Sequence, residues 1–191
     1  MKNNKGFTLI EILAVVVIIA VLALTAIPNV NRLIESSRKK NFISDAKTYI
    51  NVFRNGIAAR EYMTVDESIC SIPKSGYYSA IQLNQLDLEN GTAKSPWGYE
   101  YSGYVVIINK ETSTAPIGSN KVGIIEYYFI GHDTGQNGIF NLVKESDLST
   151  KDVVNISALN EKNTKNETII PNIQAHKPIK GFHYDTICKS N

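Results

Sequence analysis

The run from Ile12 to Ile27 contains no charged side chain, and Glu11 stands directly before it, behind Gly6-Phe7-Thr8-Leu9-Ile10. Counted from Phe7, this segment is 21 residues, roughly 31 Å as an α-helix, long enough to cross the hydrocarbon core of a bilayer. A secretory signal peptide with Lys2 and Lys5 as its basic region does not fit. The apolar run is too long, and no small-x-small cleavage site closes it. An ordinary signal anchor fits the length but leaves Glu11 unexplained. A lone carboxylate in a membrane helix is costly and marks a functional contact.

Basic leader, Gly6, Phe7 and the embedded Glu11 together resemble the N-terminus of a type IV prepilin. The resemblance is sharp over Lys5 to Asn31. It implies cleavage after Gly6 by prepilin peptidase and methylation of the new amino terminus at Phe7. The resulting cation lies one helical turn from Glu11, and pairing removes most of the cost of burying either charge. In pilins the matching carboxylate meets the amino terminus of a neighbouring subunit, so the resemblance gives Glu11 the setting of axial register. The alternative is a Glu partnered within its own chain. Implied partners are the membrane, the peptidase, an assembly platform and other pilin subunits in a homo-oligomeric or mixed filament. The implied locations are the cell membrane, N-terminus inside, and then an extracellular pilus.

Topology by charge points the other way. Arg32, Arg38, Lys39 and Lys40 follow the span with only Glu35 to offset them, whereas the leader carries Lys2 and Lys5. A Lys/Arg bias alone favours the opposite orientation; the resemblance places the leader inside. The basic cluster reads as a solvated helix face, with contact to anionic headgroups as the minority reading.

Beyond the span, Pro28 removes a backbone donor and is expected to kink or loosen the helix; pilins commonly carry a Pro there, which makes it part of the assembly helix. Ile43, Ala46, Ile50, Phe53 and Ile57 then recur at helical spacing, so one face packs on the chain's own sheet. Turn formers Pro73, Gly76, Asn90 and Gly91 break the pattern, with a short helix expected near Ser79 to Leu88. Three stretches rich in Tyr, Val, Ile and Phe follow as strands, Tyr99 to Asn109, Gly123 to Gly131 and Ile139 to Val143. Their short spacing favours an antiparallel meander. The last forty residues are polar and read as a tail wrapped over the sheet, with room for one edge strand. The expected fold is α+β: a pilin fold with a long N-terminal helix on an antiparallel head. Its segments are a leader over 1–6, a membrane helix over 7–28, an amphipathic continuation over 29–60, a connection over 61–98, and sheet and tail over 99–191.

Pro96-Trp97-Gly98-Tyr99-Glu100-Tyr101 resembles the Pro-Trp-Gly-x-x-Tyr turn of major pseudopilins and of several Gram-positive pilins. Trp97 is expected to cap the core as a strand begins. Ser95 stands where the pseudopilin pattern often has Asp, which argues against a calcium site. Asp133 to Gly138 lacks the third- and twelfth-position ligands of an EF-hand and reads as a hairpin turn. His132, His176 and His183 match no zinc spacing, so no metal or cofactor is expected. Cys70 and Cys188 form an even pair in a chain whose bulk the resemblance places outside the cytoplasm, so a disulfide is permitted; free thiols are the alternative. Bulk charge gives no argument for nucleic-acid binding, since removing Lys2 and Lys5 leaves 18 basic against 18 acidic side chains. No catalytic motif is present, and the expected role is structural. The pilus subunit reading has two rivals, a pseudopilin of a secretion or competence system and a membrane-anchored extracellular binding domain.

Overall fold

The computed structural model describes residues 6–59, 62–63, 72–86, 94–135, 137–155, 173, 179, 181 and 183–190, the side chains of 25, 62–63 and 184–190 excepted. Cys70 and His176 lie outside the described residues. Cys188 is described by backbone alone, within the last strand, so the disulfide pairing falls outside the description too.

Internal contacts divide the chain into two units, Met1–Arg38 and Lys39–Asn191. The first is helical from Leu9 onward. Helix α1 (Leu9–Ala59) begins in it and runs on into the second, with Pro28 inside. Pro28 cannot donate to the carbonyl one turn back, yet helical backbone continues on both sides of it.

The second unit holds a sheet of strands β1 (Tyr62–Met63), β2 (Tyr77–Gln82), β3 (Tyr101–Lys110), β4 (Ile124–Asp133), β5 (Asn137–Lys144), β6 (Val154–Asn155) and β7 (His183–Ser190), in the order β1-β7-β2-β3-β4-β5-β6. Strands β2 to β6 pair with one another in antiparallel fashion. The longest ladder pairs β3 with β4, from Tyr101 opposite Asp133 to Lys110 opposite Ile124. Strand β7 runs parallel to β2 and antiparallel to the short β1.

Alternation along the strands makes two faces. One carries Ile81, Val105, Ile107, Phe129 and Ile139 against Phe42, Ile43, Ala46, Tyr49, Ile50 and Phe53 of α1. The expected stripe is therefore the packed one, with Ile57 half-buried at its end. Tyr101 meets the rings of Phe42 and Tyr49 edge-on, each at 5.6 Å between centroids, a favoured aromatic geometry. Arg54 ties the far end of α1 to the sheet, pairing with Glu145 and lying 4.6 Å above the Tyr127 ring. The opposite face carries Tyr78, Ala80, Tyr104, Val106, Ile108 and Ile130, and there Ile173 from the C-terminal region is buried.

Two expectations need correction. The helix expected near Ser79 to Leu88 is strand β2 followed by a single 3-10 turn at Leu83–Gln85, because hydrogen bonding to β3 and β7 on both sides outweighs local propensity. The expected antiparallel meander is present as β3-β4-β5, and β7 joins the same sheet in parallel to β2. That C-terminal strand also lies between β1 and β2 rather than at the edge.

Candidate functional site: the N-terminal helix

Helix α1 starts with a reciprocal cap. Thr8 precedes the first helical residue, and its backbone N–H and hydroxyl both donate to Glu11 Oε2, at 2.7 and 2.8 Å. The Glu11 N–H in turn approaches Thr8 Oγ1 at 3.4 Å and Thr8 O at 3.1 Å. This is a capping box, in which a Thr at the N-cap and a Glu three residues on satisfy each other's end of the helix. The carboxylate also sits at the positive pole of the helix dipole. Glu11 thus has partners within its own chain, on the exposed side of the first turn. Thr8 is the residue that sequence reasoning passed over. Its signal is the spacing Thr-x-x-Glu ahead of an apolar run.

Immediately before the cap the chain is open. Phe7 is 84% exposed, and a Cβ built on Gly6 meets nothing within 4 Å. Among the described residues, nothing crowds the Cβ position of Gly6 or covers Phe7. After the cap, every described side chain from Phe7 to Ile34 is exposed except Ala23, which is half-buried. From Phe42 onward the apolar side chains of the same helix enter the core instead. Exposing an uninterrupted series of Val, Ile and Leu to water is unfavourable by about 25 cal/mol per Å². Among the described residues α1 is the one helix long and apolar enough to cross a membrane, and lipid is the medium that makes its exposed half favourable.

Pro96, Trp97 and Gly98 form a tight turn into β3. Gly98 N–H donates to Ser95 O at 2.8 Å, and Ser95 N–H to Tyr99 O at 2.7 Å. Gly98 has φ 84°, the region glycine adopts without strain. Trp97, expected to cap the core, is 43% exposed in this turn. Ser95 Oγ accepts the Tyr99 N–H at 3.2 Å, so that oxygen serves the turn. Asp133 behaves alike in the β4–β5 turn, its Oδ1 accepting the N–H groups of Gly135 and Asn137, both at 3.0 Å. His132 stacks on Phe140 and His183 lies against Tyr77.

Residues 1–27 match the family described as the prokaryotic N-terminal methylation motif. No curated protein and no solved structure matches the chain. With its motif on a helix fit to cross a membrane and its sheet packed on the rest of that helix, the chain carries the N-terminal signature diagnostic of type IV pilin-like proteins and a pilin-like α+β fold.

Proposed function

We propose that the protein is a structural subunit of a type IV pilus, cleaved after Gly6, N-methylated at Phe7 and assembled through α1. The observation that carries this reading is the division of one helix by environment. Its motif-bearing half is apolar and exposed, while its second half is buried under the sheet. The first half suits lipid during storage and the helical interior of a filament afterwards.

Peptidase cleavage would hydrolyse the Gly6–Phe7 amide and free an amine that stays cationic after methylation. Glu11, held in the first turn by Thr8, would offer its carboxylate to such a cation on a neighbouring subunit. Desolvation on leaving the bilayer makes a mispaired charge expensive, and that cost would fix the axial register. Partners on this reading are prepilin peptidase, an assembly platform and further pilin subunits. The location is the membrane and then the pilus, with adhesion, motility or DNA contact left to the head. The formed Pro96-Trp97-Gly98 turn favours a pseudopilin as the second reading.

An intact mass and N-terminal sequence from a host carrying prepilin peptidase test the pathway. A methylated Phe7 start supports it, and an intact leader overturns it. Glu11→Ala is expected to lower sheared filament yield at least tenfold while leaving the amount of membrane-inserted subunit unchanged. Normal filaments from that variant would sink the registration role. Filament length under the electron microscope separates a pilus from a short pseudopilus.

A further inference from the structure

A cavity of about 110 Å³ lies in the second unit, where strand β2 gives way to the 3-10 turn Leu83–Gln85. The β2–β3 ladder ends at Gln82 opposite Tyr104. Beyond that pair β3 continues through Gly103, Ser102 and Tyr101, in register with β4 on its other side. The cavity is bordered by those three residues and by the start of the turn. Gly103 contributes backbone alone, so no side chain from that position fills the space.

The lining is polar but uncharged. Leu83 and Tyr101 are buried and supply apolar surface, while Gln82, Asn84, Ser102 and Tyr104 bring amide and hydroxyl groups. Gln82 Nε2 donates to Tyr104 Oη at 3.1 Å. Tyr104 is only 2% exposed, and a hydroxyl that accepts from an amide keeps its own proton to donate. Gln82 keeps its carbonyl oxygen to accept. The pair thus offers one donor and one acceptor side by side, in a setting where an unmatched polar group is costly. The Tyr101 hydroxyl is committed to Asp45 at 2.5 Å, which leaves Tyr101 its ring.

Size narrows the ligand. An apolar cavity of about 150 Å³ takes up benzene, so a space of this volume suits a group of about four heavy atoms. Carboxylates and phosphates find no cation in the lining, and ammonium groups find no carboxylate. An acetamido group has the right count and the right chemistry. Its methyl suits Leu83 and the Tyr101 ring, its carbonyl oxygen the Tyr104 proton, and its N–H the Gln82 oxygen. A peptide amide continues as chain on both sides, whereas an acetamido group ends in its methyl. Asn84 and Ser102 are exposed and would meet the hydroxyls of an attached sugar ring. We propose that this cavity binds the acetamido group of an N-acetylated sugar. All its lining residues belong to the second unit, so the assignment goes beyond the pilus reading and does not depend on it.

The test uses the full chain in micelles of a zwitterionic, sugar-free detergent, titrated with methyl N-acetylglucosaminide and followed by saturation-transfer NMR. The acetyl methyl protons are expected to receive more saturation than any ring proton. Methyl glucoside, which lacks the acetamido group, should bind about tenfold more weakly or less. Gln82→Leu and Tyr104→Phe should each weaken binding about tenfold, the usual result of removing one partner in a buried polar pair. Asn84→Ala, at an exposed position, should weaken it less and serves where either of those variants fails to fold. Asn141→Ala, an exposed change on β5, should leave binding intact. Saturation no greater than in protein-free micelles would overturn the proposal, as would equal binding of the two glycosides. Tighter binding of N-acetylalanine methylamide than of the sugar would overturn the choice of ligand. Undiminished binding in all three cavity variants would overturn the site.

Discussion

Glu126 brings a carboxylate to the sheet face opposite α1, where only 8% of its side chain remains exposed. Lys110 Nζ lies 2.6 Å and Lys144 Nζ 2.8 Å from its oxygens, and the Tyr128 hydroxyl donates at 2.6 Å. Burial pushes its pKa up, but the bonds from Lys110, Lys144 and Tyr128 outweigh that and hold it at about 2 against an ordinary 4.5. A folded value below the unfolded one gives stability that is present above pH 4.5 and lost as pH falls towards 2. Both lysines are more than a third exposed, and screening limits what their attraction contributes. Glu126→Gln should cost about 1–2 kcal/mol at pH 7, and its gap from wild type should close by pH 2 in urea titrations. A gap independent of pH would show that packing, not charge, is responsible. Asp45 has the opposite sign. Its partial burial on the sheet-facing half of α1 raises its pKa above 3.8, opposed by the Tyr101 hydroxyl donated at 2.5 Å. Stability is then greatest with the carboxyl protonated and declines as pH rises through the folded value. Asp45→Asn keeps an acceptor for Tyr101 and removes the charge. It should be neutral or stabilising by up to about 1 kcal/mol at pH 7 and should flatten the stability profile just above pH 3.8. A loss of stability at pH 7 would show that the ionised form is the preferred one.

At the level of elements, the β3–β4 ladder depends on two facing glycines. Gly103 has φ 143°, and a Cβ there would lie 2.3 Å from Ile130 O and 2.4 Å from Gly131 Cα. Neither backbone atom can withdraw without breaking the ladder, so Gly103→Ala is expected to cost about 3 kcal/mol or more. Gly98→Ala meets open space at φ 84° and should cost only the strain of a left-handed residue, about 1–2 kcal/mol. Thermal melts of the two variants should differ accordingly, and equal losses would refute the assignment of the Gly103 cost to backbone collision. This ladder was also the most readable element in the sequence. Val105 to Ile108 and Tyr127 to Ile130 are β-branched and aromatic, bounded by turn residues, and become strand by their own preference. The stripe from Ile43 to Ile57 was readable for the same reason, its period being that of a helix. Strand β2 was not, because Tyr77 to Leu83 has no clean alternation and its state is set by partners on both sides. The inner place of polar β7 was not readable either, since its parallel pairing beside β2 is a long-range decision. At the N-terminus the methylation motif that contains Gly6, Phe7 and Glu11 was legible from residue type and spacing. The Thr8–Glu11 bonds needed the geometry of the first turn.

For the molecule as a whole, the two contact units differ in what solvent they require. Met1–Arg38 offers no buried cluster among its described residues, and its apolar side chains face outward. Lys39–Asn191 contains both hydrophobic clusters, including every buried position of α1. The second unit therefore has what a domain of its size needs to fold in water, and the first depends on lipid or on other helices. Deleting residues 1–38 should give a chain that is monodisperse without detergent. Its shortened helix would retain Phe42, Tyr49, Ile50 and Phe53 as anchors, with fraying confined to the new first turn. Its unfolding should be a single cooperative transition. Adding Phe53→Ala to that truncated chain should remove about 3–5 kcal/mol, the usual cost of emptying an aromatic site in a core, because Phe53 is fully buried against the sheet. Light scattering and urea denaturation measure both outcomes. A truncated chain that aggregates, or melts without cooperativity, would mean that the head draws stability from the first 38 residues. Assembly would then have to preserve that dependence rather than exchange one apolar environment for another.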